Sequence, residues 1–285
     1  FLIYMNDINI ASYMFEMVLY ADDTTLIAPL CTPDMSMSLN RINDEFSLIS
    51  DWLCLNRLSL NISKTKYMIF RYPQRTINFV DPPSLTIQGI EIEKVDEFNF
   101  LGLTITETLS WNRHISKISS KIARTIYTMR RLRNFLPETT LLMLYNALIF
   151  PHISYCILSW GYKCTRITTL QKKAIRLIGN SKYNAHTEPL FKKYQLLRVD
   201  DLLKWKALLF YFNCINHSVP DYFDDMFVPL SFDHPYGTRH RSANRYRLPN
   251  RATSSRTLRY CIPQLLEVTP PPVMTKINTH SYQGF

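Results

Sequence analysis

Two strand-like runs near the start of the chain enclose a pair of acidic residues. Residues 15–20 and 24–28 are mainly apolar, and the turn between them, Ala21-Asp22-Asp23, predicts a β-hairpin with both carboxylates at its tip. From 35 to 56 apolar residues recur at alternating intervals of four and three, which predicts an amphipathic helix. Asp34 suits the start of that helix. Short strand-like pieces follow at 66–71, 84–92 and 97–106.

Beyond Trp111 the pattern predicts helices and no further strands. The first helix spans about 111–133. Pro137-Glu138 opens a second helix, which Pro151 must kink or end because proline removes a backbone donor and clashes with the preceding turn. Three later helices are predicted near 167–178, 188–197 and 200–216. Gly179 is the predicted C-cap of the first of these three. The predicted fold class is α+β, with all strands in the first part of the chain.

The composition and net charge of the chain indicate which class of molecule it binds. Of the 285 residues, 46% are apolar and 20% are charged, which is typical of a globular chain. Lys and Arg outnumber Asp and Glu by 33 to 23, and the net charge of +10 favours a polyanion, either nucleic acid or an anionic membrane. No apolar run reaches the roughly 18 residues that a membrane span needs. Nucleic acid is therefore the predicted partner, without a membrane.

The six cysteines occur singly, without the Cys-x-x-Cys spacing of zinc ribbons or redox sites. Scattered thiols fit a reducing compartment, so the predicted location is intracellular, either nuclear or cytoplasmic. His152, Cys156 and Cys164 can be drawn as a set of metal ligands. The favoured interpretation is that they are small core residues on apolar helices.

The adjacent acids Asp22 and Asp23 give the sharpest chemical signal. Two carboxylates at a tight turn repel each other unless cations neutralise them. Two Mg²⁺ ions are the usual solution in phosphoryl transfer, where they align the attacking and departing oxygens. The alternative is a solvated Asp-Asp turn. The placement between apolar strands favours the catalytic interpretation, because the strands would hold both acids on a rigid hairpin.

Several segments resemble, in order, the reverse transcriptases of non-LTR (LINE-type) retrotransposons. Tyr20-Ala21-Asp22-Asp23 resembles their Tyr-x-Asp-Asp signature, and residues 1–8 resemble the segment upstream of it. Residues 58–66 resemble a Leu-x-x-Asn-x-x-Lys-Thr segment, 100–102 the primer-grip turn, and 109–115 the entry to the thumb. Each match is weak alone, but their order and spacing make the resemblance specific over most of the first 220 residues.

The resemblance implies an RNA-directed DNA polymerase, a nucleotidyltransferase that uses template RNA, primer DNA, dNTP and two Mg²⁺ ions. It places Asp22 and Asp23 at the metal site, with Asp22 favoured as the direct ligand. It places Lys64 near the incoming triphosphate, where a cation offsets the charge of the leaving group. The residues that would steady the primer end are Phe100, Leu101 and Gly102.

The implied architecture is a partial palm, made of the β-hairpin plus a helix on a sheet, followed by an all-α thumb and extension. The expected bounds are 1–108 for the C-terminal half of the palm, 109–180 for the thumb, 181–228 for a helical extension, and 229–285 for a basic, weakly structured tail.

The family's other essential Asp lies on a strand upstream of the hairpin, and Asp7 is the only Asp before Tyr20 here. The chain also begins with Phe1. We therefore expect a C-terminal fragment of the polymerase that lacks the first catalytic Asp and is inactive alone. Two alternatives stay open: a non-catalytic nucleic-acid-binding remnant, and a group II intron-type maturase.

The first helix after Trp111 is strongly basic. Residues 111–133 contain seven Lys or Arg and no acid. At about 100° per residue, isoleucines and Met129 fall on one face, and five basic residues fall opposite. Like charges destabilise a helix unless phosphates neutralise them, so the stripe predicts contact with the template–primer backbone. A solvated charged face is the alternative. The five residues are Arg113, Lys117, Lys121, Arg124 and Arg131.

Seven further arginines lie between 239 and 259, with no acid among them. They suit RNA binding or a disordered basic tail, and the sequence does not decide between the two.

Overall fold

A computed structural model describes residues 2–30, 35–71 and 84–227, together with residues 262 and 265. The chain divides into two compact units, residues 1–111 and 112–285. The predicted helix start at Asp34, the turn at 81–83 and nearly all of the basic tail lie outside the described residues. In the described part of the chain, no helix is both long enough and apolar enough to cross a membrane.

The first unit is mixed α+β. Its helices are α1 (Leu2–Met5), followed by a short 3-10 turn, and the long α2 (Met35–Leu55). The strands are β1 (Glu16–Tyr20), β2 (Asp23–Ile27), β3 (Lys66–Tyr67), β4 (Thr86–Ile87), β5 (Ile90–Glu91), β6 (Glu93–Lys94), β7 (Glu97–Phe100) and β8 (Leu103–Thr106). Among the described residues they pair two by two, as β1–β2, β3–β6, β4–β5 and β7–β8.

The core of the first unit forms on one face of α2. Leu39, Ile42, Ile49 and Leu53 are all buried there, as the spacing of four and three predicts, and the ring of Phe46 stacks on Phe15 at 5.3 Å. The amide of Asn43 then fixes the helix to β4, because it donates to Ser84 O at 3.2 Å and accepts from Thr86 N at 2.9 Å.

The described part of the second unit is helical. Its helices are α3 (Asn112–Leu132), α4 (Glu138–Leu148), α5 (Phe150–Ser154), α6 (Ile157–Trp160), α7 (Thr165–Ile178), α8 (Glu188–Lys193) and α9 (Val199–Ile215). Pro151 lies in the first turn of α5, so the predicted break is confirmed. A proline there lacks only a donor that no helix start can satisfy.

The apolar face of α3 packs chiefly against α7. Its buried residues include Ile115, Ile118, Ile122, Ile126 and Met129, which are the residues that the sequence placed opposite the basic stripe. The predicted helix at 111–133 is therefore confirmed, and so is the separation of its two faces.

The C-terminus of α7 differs in detail from the prediction. Gly179 follows the last helical residue, but its φ is −77°, and the left-handed residue is Asn180, with φ of 49°. Ser181 N donates to Arg176 O at 3.0 Å and Asn180 N to Leu177 O at 3.3 Å, which is a Schellman cap. Gly179 lets the end of α7 approach Leu190 closely, because a Cβ at this position would lie only 2.9 Å from Leu190 Cδ2.

The first unit departs further from expectation. The predicted strand at 66–71 is reduced to two residues, and that at 84–92 to two short strands. The pairing of β3 with β6 is parallel, and the described residues form small two-stranded sheets instead of one larger palm-like sheet. The described part of the chain is thus α+β and mostly helical, while the assignment of palm, thumb, extension and tail stays a prediction.

Candidate nucleic-acid and metal site

The tip of the β1–β2 hairpin carries Asp22 and Asp23. The strands pair antiparallel up to Tyr20 and Asp23, so Ala21 and Asp22 form a two-residue loop. Ala21 has a φ of 51°, in the left-handed region that loops of this length require at their first central position. Both acids are exposed. Their predicted position is confirmed, while their role in binding metal stays a prediction.

The hairpin is held by few contacts. Met17 of β1 and Leu26 of β2 pack against the core that Phe15 and α2 share. Most of the other side chains face solvent, and Tyr20 and Ile27 are 62% and 48% exposed. The hairpin is therefore a largely exposed two-stranded ribbon and differs from the expected tip held between buried strands.

Asp22 and Asp23 offer carboxylate oxygens, the donors that Mg²⁺ prefers. Two acids do not complete a two-metal site, because each ion needs several oxygen ligands. Within the described ranges, no group of three or more His, Cys, Asp or Glu residues is placed to hold a metal ion. The described residues therefore provide a partial set of metal donors.

Lys64 lies in the turn between α2 and β3. Asn61 organises that turn, because its backbone oxygen accepts from Lys64 N and Thr65 N, both at 3.1 Å, and its side-chain oxygen accepts from Ser63 Oγ at 2.7 Å. Lys64 is exposed, and in the described structure no hydrogen bond or ion pair joins it to Asp22 or Asp23. Its predicted place beside a triphosphate stays a prediction.

The predicted primer-grip residues form the tight turn of the β7–β8 hairpin. Phe100 pairs with Leu103, so Leu101 and Gly102 are the two loop residues, with φ of 44° and 82°. Positive φ at both positions is the type I′ pattern, which glycine adopts readily and leucine does at a cost. The turn itself is confirmed, and its contact with a primer stays a prediction.

The α3 basic face, which we define as Arg113, Lys117, Lys121, Arg124 and Arg131, is exposed throughout. Its residues point away from the isoleucine face that packs on α7. A phosphate backbone lying along the helix would therefore meet charged side chains without disturbing the core. The structure confirms the exposure that the interpretation needs, while nucleic-acid contact stays a prediction.

The charge imbalance extends beyond α3. Residues 112–187 contain 13 Lys or Arg and one acid, Glu138, for a net charge of +12 that exceeds the +10 of the whole chain. Glu138 is itself bound by Lys193, whose Nζ lies 2.5 Å from the carboxylate, and this hydrogen bond holds the pKa of Glu138 below its usual range. Counting acids over the whole helical region would have found this signal in the sequence.

His114, His152 and the nearby cysteines do not form a metal set. His114 is buried against Trp160 at a ring distance of 5.7 Å, and burial, with Lys117 and Lys121, lowers its pKa. Cys164 is buried, as the core interpretation predicts, and its Sγ donates to Gly161 O at 2.8 Å. Cys156 is exposed, so the core interpretation is wrong for that residue.

Two proteins of mobile elements are similar to this chain. The RNA-directed DNA polymerase from mobile element jockey of Drosophila funebris is 23% identical over 193 residues, which is 65% of this chain and 20% of that protein. The retrovirus-related Pol polyprotein from type-1 retrotransposable element R1 2 of Nasonia vitripennis is 24% identical over 157 residues, which is 54% of this chain and 38% of that protein.

The chain thus spans well under half the length of these relatives. It matches no protein-family model, and no solved structure is significantly similar to it. With identities of 23% and 24%, the chain is distantly related to the reverse transcriptases of non-LTR retrotransposons.

Proposed function

We propose that this chain is part of the RNA-directed DNA polymerase of a non-LTR retrotransposon, and that its α3 basic face holds the sugar–phosphate backbone of the template–primer duplex. The hairpin contributes Asp22 and Asp23 to a Mg²⁺ site. On this proposal the chain alone binds the duplex but does not extend the primer.

The observation that carries the proposal is the exposed, acid-free surface of α3. An ordinary protein surface mixes both signs of charge, whereas this helix has six basic residues and no acid. Phosphates are the partners that make such a surface favourable, because each contact releases a condensed counterion. The similarity to the jockey polymerase supports nucleic acid as the polyanion.

The positions of the charges add a second argument. Positive charge is favourable in the last turn of a helix, where Arg130 and Arg131 lie, and unfavourable in the first turns. Arg113 lies in that unfavourable first turn, which has no acid to offset it. Residues placed against the helix dipole are expected where function outweighs stability.

A salt titration tests the proposal. Five phosphate contacts predict a log–log slope of about −4 for binding of an RNA–DNA duplex. The triple variant K117Q/K121Q/R124Q should flatten that slope by about three units. Sequence preference should be weak, because phosphate contacts position a duplex without reading its bases. Circular dichroism confirms that each protein is folded.

A matched control removes the same charge elsewhere. The variant R41Q/K192Q/K204Q changes one Arg and two Lys that are also exposed, on α2, α8 and α9. Its slope should stay near that of the wild type. Equal slopes for wild type and the α3 variant, with both folded, would show that the α3 basic face is only a solvated surface.

Primer extension tests the catalytic half. We expect no template-dependent incorporation with Mg²⁺ or Mn²⁺, because the described residues gather no third metal-binding group at the hairpin. Incorporation that disappears in Asp22→Asn would contradict this expectation. It would mean that another carboxylate completes the site, for example Asp7 beside the 3-10 turn at 8–10.

A further inference from the structure

A groove of about 490 Å³ runs between α3 and the α4–α5 segment. The α3 side contributes Lys121, Arg124, Met129 and Leu132, which recur along one strip of the helix. The other side contributes Leu144, Leu148 and His152, at successive intervals of four residues. We call this feature the α3–α4 groove. Its volume lies within the range of ligand-sized pockets.

The groove is basic at one end and apolar at the other. α3 and α4 are joined by a short turn at 133–137, so they run antiparallel, and Leu132 and Leu144 lie at the end nearest the turn. Lys121 lies 11 residues before Leu132, which is about 16 Å along the helix. Burial, together with the nearby charge of Lys121, lowers the pKa of His152. Lys121 therefore lies near His152, and the cationic end of the groove is the one farthest from the turn.

None of the described residues that line the groove is acidic. Its two threonines need no ligand, because the hydroxyls of Thr125 and Thr128 already donate to Lys121 O and Arg124 O, both at 3.2 Å. Lys121 and Arg124 remain as groups for an anion, and Leu148 is 49% exposed. An occupant that matches this lining carries negative charge at one end and a flat apolar surface at the other.

We propose that the α3–α4 groove takes one unpaired nucleotide of the strand bound along α3, with its phosphate at Lys121 and Arg124 and its base against Leu132, Leu144 and Leu148. This inference rests on the proposed function, because the same two cations belong to the α3 basic face. The inference goes beyond the proposed function because it places a single-stranded segment of the nucleic acid at Lys121 and Arg124 of α3. His152 offers a ring nitrogen for a hydrogen bond to the sugar or base.

The charge favours a nucleotide over an acidic amphipathic peptide. Lys117 and Arg113 continue the charges of the groove at intervals of four residues along exposed α3, and Arg131 follows seven residues beyond Arg124. A phosphate chain can therefore follow these charges along the helix. A peptide helix would match the groove but would leave the remainder of that basic face unneutralised.

The test compares an RNA–DNA duplex with a three-nucleotide overhang against the same duplex with an abasic overhang. Both have identical phosphates, so only insertion of a base distinguishes them. We expect the normal overhang to bind roughly tenfold more tightly, because a base buries apolar surface against the leucines and an abasic site does not. Leu148→Gln should remove this difference. Met143→Gln, at a 68% exposed position of α4 outside the groove lining, should retain it.

A second readout is the ¹³C-methyl signal of Met129, which lines the groove. The normal overhang should shift that signal by the ring current of the base, and the abasic overhang should not.

Equal affinities for the two overhangs, or a difference that survives Leu148→Gln, would overturn the inference. Salt-dependent binding of a blunt duplex would still uphold the proposed function. Loss of salt-dependent duplex binding would overturn both. A Met129 shift with an acidic amphipathic peptide and none with the overhang would make the groove a protein-docking site.

Discussion

The buried carboxamide of Gln171 ties three segments of the helical unit together. Its Nε2 donates to Tyr145 Oη on α4 and to Leu197 O before α9, both at 3.0 Å. Its Oε1 accepts from Val199 N at 3.1 Å. Gln171 itself is on α7, the helix against which α3 packs, so this network helps to position the α3 basic face.

Replacing Gln171 by leucine keeps the approximate size of the side chain and removes all three hydrogen bonds. Tyr145 and Val199 are both 0% exposed, so a hydroxyl and an N–H are left buried without partners, at about 1–3 kcal/mol each. Leu197 is partly exposed, so water can replace its partner. We expect Gln171→Leu to lower the free energy of unfolding by about 4 kcal/mol, a large share of the stability of a typical domain.

The effect of Tyr145→Phe on the free energy of unfolding should have opposite signs in the wild type and in the Gln171→Leu variant. In the wild type it should cost about 1 kcal/mol, because Gln171 loses one of its partners. In the Gln171→Leu background it should restore about 1 kcal/mol, because it removes an unpaired buried hydroxyl. Urea denaturation of the two single variants and the double variant, followed by circular dichroism, measures all three values.

Lys173→Gln, at an exposed position of the same helix, is the control and should change stability by less than about 0.5 kcal/mol. The reasoning is refuted if Gln171→Leu costs less than about 1 kcal/mol. It is also refuted if Tyr145→Phe destabilises both backgrounds equally.

Three further predictions concern single residues. Leu101→Asn should raise the free energy of unfolding of the first unit by about 1 kcal/mol in urea denaturation, because asparagine tolerates the left-handed conformation that leucine adopts there. Since burial lowers the pKa of His114, the unfolded chain binds its proton more tightly; the urea midpoint should therefore fall as pH drops below about 6.5, and less so in His114→Asn. Burial raises the pKa of Cys164 to about 11, so iodoacetamide at pH 8 should label exposed Cys156 well before Cys164 in mass spectrometry, and equal rates would contradict the burial argument.

The helices were predictable because their signals are local. In α3, apolar and basic residues occupy opposite faces over six turns, and the predicted bounds of 111–133 differ by one residue at each end from Asn112–Leu132. Pro151 ends a helix by its own covalent structure. Gln171 was a missed signal of the same kind, since it shares a helical face with the buried Ile167, Ala174 and Ile178.

The strands were less predictable because their pairing is not local. Lys66 pairs with Glu93 in parallel, and a strand of two residues has too few positions to show a period of two. The exposure of the β1–β2 hairpin was missed because an apolar run predicts a strand without telling what covers it. The α3–α4 groove was missed because Leu144 and Leu148 have the apolar character of core residues, while their exposure depends on how two helices meet.

The absence of acids on α3 makes dissolved salt act in opposite directions on the free and bound states. In the free protein, salt screens the mutual repulsion of the six positive charges of α3 and so strengthens the helix. In the complex, the same ions compete for the phosphates and weaken binding. A bound polyanion can take over the screening role and stabilise the folded chain by mass action. Low salt therefore destabilises the helical unit when no nucleic acid is present, and the same low salt gives the tightest binding once a duplex is added.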